Sequence, residues 1–203
     1  MGSTDIIDGW SGFKRAFERD PDGVHDVLHA GAGAGADVNE LAWVIEKESG
    51  WDPRAVNPQS DARGVIQWMP KTRKALGMPD PFPETLTDQA PWVASYLSRL
   101  GAIPKGDLYL AIFYPAALGK PDDTVLFKVG TKGWKQNPGL RTGGDGPITA
   151  GSVRELGRPP GPSPGVDAPA APRRRKTPQR GMELPPWALV VALVLLARHA
   201  RLV

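Results

Sequence analysis

Cysteine is absent from the 203 residues. Disulfides, thiolate metal sites and a cysteine nucleophile are excluded, while the redox character of the compartment stays open. Histidine is scarce: His25, His29 and His199 are the only three. His25 and His29 can share a helix face, but without a further ligand they make no metal site. Gly143-Gly144-Asp145-Gly146 is too short for a calcium loop and reads as a turn. The Gly-Ala run over 31–36 lacks the lysine of a phosphate loop. No metal and no cofactor are expected. Strand signals are sparse, which points to a mainly α fold. No basic stretch leading into an apolar one follows Met1, so no secretory signal is expected there.

The net charge of +3 conceals a division. Through Gly157, 17 Lys and Arg stand against 20 Asp and Glu; from Arg158 onward there are 8 against 2. The body is slightly acidic and the tail strongly basic, so a nucleic-acid partner is not expected for the body. The 22 prolines and 24 glycines also crowd towards the tail. Residues 158–183, beginning Arg158-Pro159-Pro160-Gly161 and carrying the cluster Arg173 to Lys176 with Arg180, read as a disordered, extended linker. Residues 184–203 read as a C-terminal hydrophobic helix. The uncharged run from Leu184 to Ala197 falls short of the 17–25 residues of a spanning helix. Leu202 and Val203, with Arg198 and Arg201 snorkelling, bring it near the lower limit, and Trp187 suits an interface. A membrane anchor is the expectation, and a helix packed on another protein is the alternative. Positive charge on both sides leaves the orientation open.

The body, residues 1–157 with a core over about 24–157, reads as a succession of helices. Ile7, Trp10, Phe13, Ala16 and Phe17 recur at helical spacing over 6–19, and Pro21-Asp22-Gly23 is expected to break that helix. Residues 24–36 begin helically and are expected to dissolve into the Gly-Ala run. Asp37 then resembles an N-cap, with Glu40 completing a capping box. Further helices are expected over 70–77, 86–100 and 107–118, the last interrupted by Pro115. Residues 124–129 read as a turn or a short strand.

The chemistry concentrates at the end of the helix that Asp37 opens. At 100° per residue from Leu41, Ile45 falls at about 40°, Val44 at about 300° and Glu48 at about 340°. Glu48 therefore lies inside the apolar stripe, while Glu46 and Lys47 are expected to face away. Gly50 and Pro53 end the helix. A carboxyl on a buried face is costly unless something uses or pairs it. Desolvation raises its pKa, which suits a general acid; a glutamate in an ordinary salt bridge is the plainer alternative.

The residues around Glu48 carry a resemblance. Ala42 to Pro58 reads A-W-V-I-E-K-E-S-G-W-D-P-R-A-V-N-P, and Ser60 to Thr72 reads S-D-A-R-G-V-I-Q-W-M-P-K-T. These resemble the E-S-G-x-x-P-x-A-V and G-A-x-G-L-x-Q-x-M-P-x-T segments of the soluble lytic transglycosylases, a family with a lysozyme-like fold related to goose-type lysozyme. The third segment, Ala111 to Gly119, keeps Tyr114 and the closing glycine but has Pro115 where that family usually has Asn. Together with Gln136 to Leu140 and Gly144 to Thr149, this variant is similar to phage-type members.

The resemblance implies a set of roles. Glu48 would be the catalytic acid that later acts as base. Ser49 would orient it or contact the sugar N-acetyl group, Gln67 and Met69 would line the saccharide groove, and Tyr114 would hydrogen-bond Glu48 or the substrate. For the last four, core packing or turn formation is the alternative. The implied partner is the glycan strand of peptidoglycan, cut between N-acetylmuramic acid and N-acetylglucosamine with a 1,6-anhydro product. Asp52 and Asp61 are the sequence-near candidates for a second carboxylate. If Asp61 faces the groove, attack by water and a hydrolytic muramidase used in lysis become the alternative. A non-catalytic structural protein on the same fold is a third reading. A wall-acting domain with a C-terminal anchor fits a virion with an internal membrane, with other virion proteins as further partners; the host inner membrane is the alternative location.

Overall fold

The computed structural model describes residues 10–141 and 144–161, all within one compact unit, Met1–Ala168. The linker beyond Gly161 and the hydrophobic segment 184–203 lie outside the described residues. Among the described residues no helix is long and apolar enough to cross a membrane.

Among the described residues, eight α-helices carry the fold. The first, α1 (Ser11–Arg19), gives way directly to α2 (Pro21–Gly33). Pro21 opens α2 instead of merely ending α1, because proline at a first helical turn forfeits no hydrogen bond. Asp20 caps the new helix by accepting from Gly23 N at 2.9 Å. The expected dissolution at the Gly-Ala run does not occur before Gly33. Gly31 is buried there, and a Cβ on it would meet Leu41 Cδ2 at 2.1 Å, so its lack of a side chain lets α2 approach α3 (Val38–Ser49).

Asp37 caps α3 through Asn39 N and Glu40 N at 2.9 and 3.1 Å. The reciprocal half of the expected capping box is missing. Glu40 turns instead to Gly106 N and Leu108 N, at 2.6 and 3.4 Å, and holds the start of α6 (Leu108–Phe113). Glu46 departs from expectation as well. Its carboxylate accepts from Gly12 N and Phe13 N, at 2.8 and 2.6 Å, and so secures the first turn of α1. Only Lys47 is exposed, with its ammonium 4.5 Å from the Trp43 ring centre.

Two further helices, α4 (Pro70–Leu76) and α5 (Leu86–Leu100), complete the first layer. Its core joins Phe13, Val27, Leu41, Val44, Ile45, Trp51, Val93 and Leu97. A second cluster is built on Leu110, Ala117, Leu140, Ile148, Ala150 and Val153. It contains α6, the antiparallel pair β1 (Val125–Phe127) and β2 (Ile148–Thr149), the short α7 (Lys132–Gln136) and α8 (Ala150–Gly157). Residues 124–129 thus supply a strand. Pro115 does break the helix over 107–118: α6 stops at Phe113 and a 3-10 turn, Pro115–Ala117, follows. Trp43 Nε1 donates to Leu156 O at 2.9 Å, and Arg154 pairs with Asp107. These bonds fasten α8 to both α3 and the start of α6.

Candidate active site

Glu48 occupies the last turn of α3, which Gly50 ends in a left-handed conformation at φ 58°. The chain then folds back through a succession of tight turns between residues 50 and 69. Asn57 N and Asp61 N donate to Ala62 O and Asn57 O, Arg63 and Trp68 exchange backbone bonds at 2.9 and 3.1 Å, and Gly64 N reaches Ala55 O at 3.0 Å. Three non-glycine residues here sit in the left-handed region: Trp51 at φ 63°, Asp61 at 52° and Gln67 at 49°. Such backbone persists only where the surroundings over-determine it. Each of the three is held by its side chain. Trp51 is buried with Nε1 on Ala42 O at 3.2 Å, Asp61 is paired with Arg63 and Arg73, and Gln67 Nε2 donates to Gly64 O at 3.0 Å.

One side chain ties these turns to the core. Gln89, fully buried on α5, accepts from Val65 N at 3.0 Å and donates to Pro53 O and Pro83 O at 2.6 and 2.7 Å. Gly64 packs against it at φ 76°, where a Cβ would stand 2.6 Å from Gln89 Oε1, so no other residue fits there without displacing Gln89. Ser49 Oγ lies 3.0 Å from Val65 O and 3.2 Å from Ile45 O, and so joins the helix end to the same turn.

Two grooves meet at Glu48. One, of about 490 Å³, is lined by Glu48, Asn57, Gln67, Trp68, Met69, Tyr96, Ile112, Phe113 and Pro115, among others. The other, of about 470 Å³, runs past Glu48, Ser49, Val56, Asn57, Pro58 and Gln67. Glu48, Asn57 and Gln67 belong to both, so the carboxyl stands between two stretches of one open channel. Burial pushes Glu48 up to about 7, against an opposing hydrogen bond with the Tyr109 side chain. Tyr109 itself is raised by burial and then by the negative charge of Glu48. Tyr96, donating to Ile112 O at 3.3 Å, is raised by burial and by the same charge.

Four of the expected site residues, Glu48, Ser49, Gln67 and Met69, line the channel, with Met69 48% exposed at the head of α4. Tyr114 does not line it. Its ring stands edge-on to Phe127, at 5.9 Å and 90°, within the second cluster, and the tyrosine bonded to Glu48 is Tyr109. The reason is geometric: α6 ends at Phe113, and the turn at Tyr114-Pro115 swings the later ring away from α3. Neither aspartate faces Glu48. Asp61 is held below its ordinary value, first by Arg73 and then by Arg63. Asp52 is exposed and accepts from Arg54 N at 2.9 Å. Among the described residues Glu48 is the only carboxyl lining the channel, and no group of three His, Asp or Glu is placed to hold a metal ion.

Asn57, Tyr96, Tyr109 and Gln89 escaped the sequence reading. Tyr96 had a usable signal, an aromatic hydroxyl three residues after Val93 on the flank of the apolar face of α5. Tyr109 had none, since α6 is apolar on every side and helical phase selects nothing in it.

A helical domain with a half-buried carboxyl at the end of a core helix, open to a long groove, has the layout of a lysozyme-like glycan-binding enzyme. Residues 27–113 match the family model described as Transglycosylase SLT domain, and the chain carries a domain of that family. The family acts on peptidoglycan as lytic transglycosylases, so peptidoglycan is the substrate this domain implies. The match closes at Phe113, just before the Tyr114-Pro115 departure. No match is found among curated proteins or solved structures.

Proposed function

We propose that Glu48 cuts the bond between N-acetylmuramic acid and N-acetylglucosamine without a carboxylate partner, leaving a 1,6-anhydro end. The observation that carries this is the pairing of a Glu48 carboxyl near pKa 7 with a channel that has no second carboxyl among the described residues. At neutral pH about half of such a group is protonated, which suits an acid that must then serve as base. The protonated carboxyl gives its proton to the glycosidic oxygen, and the bond from that oxygen to C1 of the muramic acid breaks. The carboxylate then takes the proton of the C6 hydroxyl, whose oxygen closes on C1. Glu48 ends protonated as it began, and no water is consumed. Tyr109 steadies the carboxylate form between the two transfers, while Ser49, Gln67 and Met69 contact the saccharide. A two-carboxylate hydrolase would hold its second group about 5–9.5 Å away, and Asp61, bound to two arginines, is not available for that role.

Mass spectrometry of the digest tests this. Anhydro ends are expected, and reducing ends would replace the proposal with hydrolysis. The placement at a virion membrane rests on the sequence, on the apolar run from Leu184 to Ala197 and the phage-like third segment. It requires the protein to fractionate with the membrane of purified particles.

A further inference from the structure

We propose that the cavity holding Arg15 and Arg19 binds carboxylates of the peptide stems attached to muramic acid, so that the channel takes stem-bearing strands in preference to bare glycan. This rests on the proposed action at Glu48 and extends it from the sugars to their substituents.

The helix that carries both arginines, α1, lies before the matched segment 27–113, yet it is fixed against the end of α3. Glu46, two residues before Glu48, accepts from Gly12 N and Phe13 N at 2.8 and 2.6 Å. Gly12 packs so closely that a Cβ on it would come within 2.5 Å of Gly50 O. The Phe13 ring meets Trp51 edge-on at 5.3 Å. This places Arg15 and Arg19, one turn apart and both exposed, beside the turn that follows Glu48.

The two side chains line a cavity of about 340 Å³ whose facing wall is Ser49, Gly50, Trp51 and Asp52. Ser49 also lines the groove beside Glu48, so the cavity adjoins the channel one residue beyond the carboxyl. Neither arginine makes an ion pair among the described residues. Asp52 is the one acid in the wall, and Arg54 N already donates to its Oδ1 at 2.9 Å. Two guanidiniums against one engaged carboxylate leave the cavity cationic. The sugar rings offer them no counter-charge, and where a stem is attached the lactyl carboxyl of muramic acid is consumed in its amide bond. The stems do, because their free carboxylates hang from the muramic acid that must lie at Glu48, and a guanidinium fork matches a carboxylate in two parallel bonds.

Binding separates this from the cleavage chemistry. The full chain carrying Glu48→Gln is titrated with glycan oligomers of equal length, either stem-bearing or with each lactyl carboxyl capped as a simple amide, at low and high salt. Stem-bearing oligomers should bind about tenfold tighter at low salt, as two exposed charge-assisted contacts allow. Adding Arg15→Gln and Arg19→Gln should bring that ratio to about one, as should high salt. Arg15→Lys with Arg19→Lys should fall between, since charge remains and the fork is lost. Equal binding of the two oligomers, or a preference that survives the double glutamine variant, overturns the proposal. A chain with Glu48 intact that cleaves neither oligomer while the preference persists overturns the cleavage reading alone.

Discussion

Glu40 and Glu48 stand at opposite ends of α3, about 12 Å apart along its axis. Burial raises both from the ordinary carboxyl value, Glu48 to about 7. What surrounds them differs. Glu40 is 6% exposed and faces two backbone amides at the start of α6, so its carboxylate is a structural acceptor. Glu48 has a tyrosine hydroxyl and otherwise faces a channel open on both sides. A raised pKa alone therefore marks burial. It marks chemistry only where the group also meets space for a substrate. The two substitutions should separate accordingly. Glu48→Gln should lower peptidoglycan clearing by at least about a thousandfold. Glu40→Gln should keep most of the clearing. Equal losses in a zymogram of the two full-length variants would break the comparison.

Stability should run the other way. Glu40→Gln removes a charge that burial disfavours, but it keeps only one acceptor and turns an NH2 towards the second backbone N–H, at a cost of about 1–3 kcal/mol for the unsatisfied donors. For Glu48 the sign follows from its pKa, near 7 when folded against an ordinary 4.5. Folding favours the protonated form, so this favourable contribution is complete below pH 4.5 and is lost as pH rises through 7. Glu48→Gln does not titrate. Its melting curve should coincide with the parent's in acid and lie above it beyond pH 7, by up to about 3 kcal/mol. A variant less stable than the parent at pH 8 would show that Glu48 is structurally paired.

The same contrast shows what could be read from the chain in advance. Helical phase put Glu48 on the buried side of α3 because that follows from local spacing, while Gln67 and Met69 were placed beside it only by the resemblance. Phase also put Glu46 on the outer side, and that side turned out to face α1. A 100° projection shows which residues share a face but not what covers it. Tyr109 could not be read because α6 is apolar throughout, and Gln89 because its three partners, at Pro53, Val65 and Pro83, are joined only by the tertiary fold. The strand pair and α8 lie beyond the matched segment, where short, mixed stretches carry no clear period.

Tyr109 sharpens the comparison at the level of one hydroxyl. Its hydrogen bond lowers the Glu48 pKa, in opposition to burial. Tyr109→Phe should therefore raise that pKa, and the limb of the rate profile governed by Glu48 should move to higher pH by about half a unit to one unit. Turnover should fall about tenfold as the carboxylate loses its donor. Tyr114→Phe should leave the pH profile in place, since that ring packs on Phe127. A shift with Tyr114→Phe and none with Tyr109→Phe would reverse the assignment.

The smallest expected effect lies farthest from the motifs. Gly157 closes α8 against Tyr109, and a Cβ on it would stand 2.5 Å from Tyr109 Cβ, closer than real side chains approach. The helix cannot simply move aside, because Trp43 holds Leu156 O and Arg154 pairs with Asp107. Gly157→Ala should therefore displace Tyr109 relative to Glu48, with a loss of about 1–3 kcal/mol in stability. Turnover should fall a few-fold, less than with Tyr109→Phe, and the pH limb should move in the same direction. A merely loosened fold would lower the melting temperature without moving that limb. The double variant decides between these. If Gly157 acts through the Tyr109 hydroxyl, its kinetic effect largely disappears once Tyr109→Phe is present, whereas independent effects would multiply.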